Sequence, residues 1–94
     1  MNRMFRYDER LGIEVPALER EWEHHTLEER RSILEQWELI RGRIPDRIAH
    51  FEEQIARLQE RVYAEEDWDA TVRLMDQISD FASRIAYLNI LNRT

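Results

Sequence analysis

The segment Glu21-Trp22-Glu23-His24 places a carboxylate three residues before an imidazole, and on a helix that spacing puts both on one face. Di-iron carboxylate bundles use Glu-x-x-His as part of a set, with a second copy and two further glutamates from neighbouring helices. This chain has one copy, so a metal centre would need a two-fold mate to supply the other. Asp46 and His50, four residues apart, form another possible ligand pair. A metal-binding reading therefore takes Glu21, His24 and His50 as ligands, assembled at a dimer interface. Against it, none of these residues falls on an apolar seam, which leaves them facing water. A metal site also needs a complete ligand set with supporting hydrogen bonds. The reading preferred here expects no metal and no cofactor.

Other chemistry is excluded more firmly. His24-His25 reads as a pair of surface or cap imidazoles at a turn between helices. The serines Ser32, Ser79 and Ser83 all fall mid-helix, with no histidine at a helical neighbour spacing. There is no cysteine, which removes thiol nucleophiles, thiolate zinc sites and disulfides. All 14 basic residues are arginine, so no Schiff-base amine and no phosphate-loop lysine exist. With only two glycines, no Gly-rich loop can cradle phosphate. Carboxylate pairs such as Glu52/Glu53 and Glu65/Glu66 sit on an exposed face or turn. A fold this small has little room for the roughly 300 Å³ concave site that ligands usually require. No catalytic residue is expected, no enzyme activity, and no small-molecule substrate.

Charge and composition narrow the partners. The net charge is −6, and phosphate contacts need a basic surface, so nucleic acid is not an expected partner. The clusters Arg30–Arg31 and Arg41/Arg43/Arg47 lie among acids on a wet surface. That same interspersion argues against an acidic mimic of nucleic acid, which would need its carboxylates on one continuous face. The amphipathic helices carry acid-rich polar faces, whereas anionic membranes favour Lys/Arg-rich ones. No apolar run approaches the ~20 residues needed to cross a bilayer, and Met1–Arg10 does not resemble a signal peptide. Together with the absence of disulfides, this predicts a cytoplasmic protein.

The elements that carry these residues are read from periodicity. Two apolar seams at heptad spacing face each other across an acidic turn. One is Ile44, Ile48, Phe51, Ile55, Leu58 and Val62; the other is Thr71, Leu74, Ile78, Phe81, Ile85 and Leu88. They predict an antiparallel helical hairpin with helices over 45–64 and 68–91. Glu65-Glu66-Asp67 forms the turn, and Asp67 or Asp69 the N-cap. Glu53–Arg57, Asp69–Arg73 and Asp80–Arg84 pair acid before Arg at i, i+4.

Upstream, Thr26 and Glu29 form a capping box for a helix over 27–41, whose apolar face is Ile33, Leu34, Trp37 and Ile40 with Leu27 at its start. Gly42 is expected to end it in the left-handed conformation. Pro16, with Leu18 and Trp22 at i, i+4, predicts a shorter helix over 16–24. The apolar phase slips at 24–26, which separates it from the next, although one continuous helix would satisfy the same residues. Residues 1–15 have neither clean helical nor clean strand spacing, apart from an alternation at Ile13–Val15, and read as an irregular N-terminal arm. The expectation is one all-α domain over 1–94, a small helical bundle.

The 68–91 helix carries a second apolar flank beside its seam, and a helix with two such flanks needs two neighbours. One is the 45–64 helix; the other is the 27–41 helix or a second molecule. Its small residues Ser79, Ala82, Ser83 and Ala86 would let a neighbouring backbone approach closely. The favoured reading is a non-enzymatic protein that acts through protein–protein interaction as a homodimer, with Trp68, Val72, Met75, Ala82, Ala86, Ile90 and Leu91 at the interface. Tryptophan suits both cores and interface anchors. Trp37 is assigned to the core, while Trp22 and Trp68 are open to either role.

Overall fold

The computed structural model describes residues 4–93. The chain is mostly helical, with two long helices packed against each other and a small two-stranded sheet. It divides into two compact units, one ending at Ile44 and the other beginning at Pro45.

The first unit opens with a β-hairpin where an irregular arm was expected. Strand β1 (Phe5–Asp8) runs antiparallel to β2 (Ile13–Pro16), with Phe5 opposite Pro16 and Asp8 opposite Ile13. The intervening residues are closed by local bonds. The Leu11 N–H donates to Asp8 Oδ1 at 3.0 Å, and the Gly12 N–H donates to the Asp8 carbonyl at 2.8 Å. Gly12 has φ 76°, a left-handed conformation that a residue without Cβ adopts readily. Phe5, Leu11 and Ile13 are buried. The alternation was hidden because Leu11, one of the most buried side chains, sits in the connecting loop and not in a strand. Residues 1–3 of the expected arm lie outside the described residues.

The expected helix over 16–24 does not form. Pro16 ends β2, and the Ala17 N–H donates to the Met4 carbonyl at 2.8 Å, which carries the hairpin ladder past the proline. Too few residues remain to offset the cost of helix nucleation. A single 3-10 turn, Trp22–His24, is all that is wound there.

Helix α1 (Leu27–Arg41) starts at the predicted capping box. The Glu29 N–H donates to Thr26 Oγ1 at 3.1 Å, and the Thr26 N–H donates to Glu29 Oε1 at 2.8 Å. Its buried residues are Ile33, Trp37 and Ile40, whereas Leu27 and Leu34 face solvent. The Trp37 ring stacks on Phe5 with centroids 6.4 Å apart, which joins helix to hairpin. Gly42 does end α1, but with φ −62° and ψ −18°, not in the left-handed conformation. Its N–H reaches the Glu38 carbonyl and the Arg43 N–H reaches that of Ile40, so the last turn tightens and no αL residue is needed. Helix α2 (Ile44–Ala64) then begins after two residues.

In the second unit, α2 and α3 (Trp68–Asn92) pack through the two predicted seams. Phe51, Leu58, Leu74 and Leu88 are buried and the other seam residues from Ile48 onward are half-buried. Phe51, in the first half of α2, meets Phe81, in the second half of α3, at 5.6 Å between centroids. The Arg84 guanidinium lies 5.0 Å from the Phe81 centroid and 5.6 Å from that of Phe51; Arg47 covers Phe51 at 5.0 Å. Asp80 holds Arg84 in place through a 2.6 Å ion pair, and Glu53–Arg57 closes at 2.7 Å. Such cation–π contacts contribute about 0.5–1 kcal/mol each at partly exposed sites. Asp67 caps α3 by accepting the Ala70 N–H at 2.9 Å.

The start of α1 makes a pH prediction. The Thr26 backbone N–H, followed by the nearby Arg20 guanidinium, holds the Glu29 carboxyl below its ordinary value of 4.5. A carboxylate with a depressed folded pKa adds stability that is fully present above the unfolded value and is lost as pH falls through the folded one. Thermal melts followed by circular dichroism should therefore show a stability loss below about pH 4.5 that is smaller in Glu29→Gln, which has no carboxyl to titrate. At neutral pH Thr26→Ala, which loses the N-cap hydroxyl, should lose about 1 kcal/mol.

Candidate interaction surface

The inner seam of α3 is used up by α2. One step around the helix lies an outer row at the same spacing: Trp68, Val72, Met75, Ser79, Ala82, Ala86 and Asn89. None of these residues is charged, and all are exposed. Trp68 is 74% exposed and Met75 55%. Ile90 and Tyr87 extend the exposed apolar surface toward the end of the helix, and Leu91 is half-buried beside them. Of the residues expected at an interface, the structure thus gathers Trp68, Val72, Met75, Ala82, Ala86 and Ile90 along one exposed side of α3, with Leu91 at its edge. The local cause is plain: the row is offset by one position from the inner seam, so the helix that buries one must present the other outward.

Beside the row lies an open groove of about 320 Å³, lined by Gln59, Val62 and Tyr63 of α2 and Met75, Ile78 and Ser79 of α3. No room for a concavity of that size was expected. Two of its lining residues, Val62 and Ile78, belong to the seams and are half-buried. Its lining is apolar and amide, with one hydroxyl and one phenol, and carries neither a carboxylate nor an imidazole. It offers shape and apolar area but no acid, base or nucleophile pair. Tyr63, 90% exposed at its rim, escaped sequence analysis because it lies off both seams. The only available signal was an aromatic on the last turn of an otherwise polar helix face.

Within the first unit, Glu21 and His24 do not share the helix face that the metal reading uses. Glu21 is extended, with ψ 152°, and only His24 of its pair lies in the 3-10 turn, so the α-helical face that Glu-x-x-His requires is missing. His50 belongs to the other unit and packs edge-on to Phe51 at 5.5 Å. Among the described residues no three His, Asp or Glu side chains are placed to share a metal ion.

His25 departs from the expected surface imidazole: it is 6% exposed. Its Nε2–H donates to the Arg20 carbonyl at 3.2 Å, while Nδ1 has no hydrogen-bond partner and lies 3.9 Å from Glu29 Oε2. Arg20 pairs with the same carboxylate oxygen at 2.8 Å. The Arg30–Arg31 cluster has a structural use as well. Arg30 donates to the carbonyls of Trp22 and Glu23 at 3.1 and 3.0 Å, with its guanidinium over the Trp22 ring. Both features tie the 3-10 turn to α1 and require tertiary placement, so no sequence pattern announced them. Trp22 is half-buried under that guanidinium, Trp37 is core, and Trp68 stands free.

No family model, no curated protein and no solved structure matches this chain. No helix among the described residues is long and apolar enough to cross a membrane.

The tryptophans separate core from surface. Urea denaturation should show Trp37→Ala losing about 3–5 kcal/mol, the usual loss for a large buried aromatic. In protein dilute enough to be monomeric, Trp68→Ala should change stability by less than about 0.5 kcal/mol.

Proposed function

We propose that this chain is a non-enzymatic, cytoplasmic interaction protein whose antiparallel α2–α3 hairpin self-associates through the outer row of α3. The observation that carries the reading is an uncharged row, six turns long, left uncovered on a helix whose other apolar side is already packed. Contiguous apolar surface of this kind marks association sites in folded proteins, because leaving it wet forgoes about 25 cal/mol per Å² of apolar area. A two-fold homodimer buries it with the same patch on both subunits and completes a four-helix core. Tryptophan at one end of the row supplies the kind of anchor on which binding energy concentrates. The absence of acid–base or nucleophile pairs around the groove favours binding over catalysis.

Ala82→Glu tests the reading, since a carboxylate in the middle of the row would be desolvated in a dimer and fully solvated in a monomer. The wild type should melt at a temperature that rises with protein concentration, as expected for coupled folding and association. The variant should lose that dependence and melt like dilute wild type. Unchanged concentration dependence in Ala82→Glu would show that this side of α3 is not where chains meet.

A further inference from the structure

The outer row of α3 is asymmetric end to end, in size and in charge. Its first half holds the large side chains Trp68, Val72 and Met75. Its second half holds Ala82 and Ala86, with Ser83 alongside. The charges follow the same polarity. Around the first half stand Glu65, Glu66, Asp67, Asp69 and Asp76 against Arg73 alone, with Asp80 paired to Arg84. From Phe81 to Arg93 there is no acid; Arg84 is held by Asp80 and lies over Phe81 and Phe51, which leaves Arg93 as the cation at that end.

We infer that α3 pairs antiparallel with α3 of a second copy of this chain, about a two-fold axis that passes near Ser79. The inference rests on the self-association reading above and adds the orientation and register. An axis at Ser79 sets Val72 over the partner's Ala86, Met75 over the partner's Ala82 and Ser83, and Trp68 over the partner's Ile90. Every large side chain then meets a small one, except at the two ends, where Trp68 and Ile90 close the seam. A parallel pair would instead stack Trp68 on Trp68 and Ala82 on Ala82, which splays one end and leaves a void at the other. Close-packed interfaces tolerate neither.

Charge selects the same orientation. Antiparallel pairing brings the acidic start of each α3 beside the arginine-bearing end of the other. A side chain on a helix leans toward its own N-terminus, so Arg93 reaches toward the partner's Glu65 and Asp69. Parallel pairing would align acid with acid along the whole first half, an arrangement that disfavours that partner geometry. Opposed helix dipoles add to the same preference. Self-complementarity in both size and charge points to a copy of this chain as the occupant, because an unrelated partner would impose no two-fold relation on the row.

The chain has no native cysteine, so single introduced thiols report cleanly on their mates. A disulfide needs Cα atoms within about 7 Å. In the antiparallel register Ser79→Cys should therefore oxidise to a covalent dimer. Trp68→Cys should not, because two copies of that position lie roughly 33 Å apart along the helices. An equimolar mixture of Trp68→Cys and Ile90→Cys should yield the mixed dimer. Sedimentation equilibrium of the reduced variants and of the wild type reports association independently of oxidation. Dimeric protein in which Trp68→Cys cross-links to itself would replace the antiparallel arrangement with a parallel one. Dimeric protein that cross-links at none of these positions would place the contact off this row and overturn the register. Monomeric wild type would overturn the self-association reading itself, and the register with it.

Discussion

A helix that carries two adjacent apolar rows can bury only one of them against a single neighbour, and α3 is such a helix. Its inner row is the one packed on α2: Leu74 and Leu88 are buried, Phe81 sits against Phe51, and Thr71, Ile78 and Ile85 are half-buried. The offset between the rows is one residue, about 100° around the axis, so burying the first turns the second outward. The exposed Trp68, Val72, Met75 and Ile90 are therefore not scattered surface apolars. They are the unavoidable counterpart of the packing that holds the second unit together. Mutations that improve inner-row packing would not remove this surface.

The first unit is held by different means. It buries Phe5, Leu11, Ile13, Ile33, Trp37, Ile40 and Ile44, and polar links between short elements add to the positioning. The capping box at Thr26 and Glu29, the ion pair of Arg20 with Glu29, and Arg30 on the Trp22 and Glu23 carbonyls converge on one 3-10 turn and the start of α1. Glu29 uses both carboxylate oxygens, one on the Thr26 backbone and one on Arg20. Stacking of Phe5 on Trp37 then fastens the hairpin to the helix. Beside such a core, satisfied polar networks help to fix one conformation.

How much of this was legible in the sequence depended on how local the cause was. The three long helices were read within a residue or so of their observed ends, because heptad spacing and the caps at Thr26 and Asp67 are written in neighbouring residues. The β-hairpin was not. Leu11 lies in its loop and breaks the alternation, and Pro16 signals a helix start as strongly as a strand end. The 16–24 helix failed for a related reason. Leu18 and Trp22 do stand at helical spacing, but Ala17 was already committed to the Met4 carbonyl. The burial of His25 and the structural use of Arg30 arise from contacts that no spacing rule encodes. The candidate surface was legible in outline, since the outer row is periodic, whereas the groove beside it combines side chains from two helices and includes Tyr63, which lies off both seams.

The central claim is that the outer row of α3 is covered by another copy of this chain. Native mass spectrometry of the unmodified protein, purified without chelators and run over a range of concentrations, addresses it most directly. Self-association through this row should give a dimer of twice the chain mass with no added mass, giving way to monomer on dilution. A bare monomer at every concentration would contradict it, and a fixed mass excess matching a metal ion would return Glu21, His24 and His50 to first consideration.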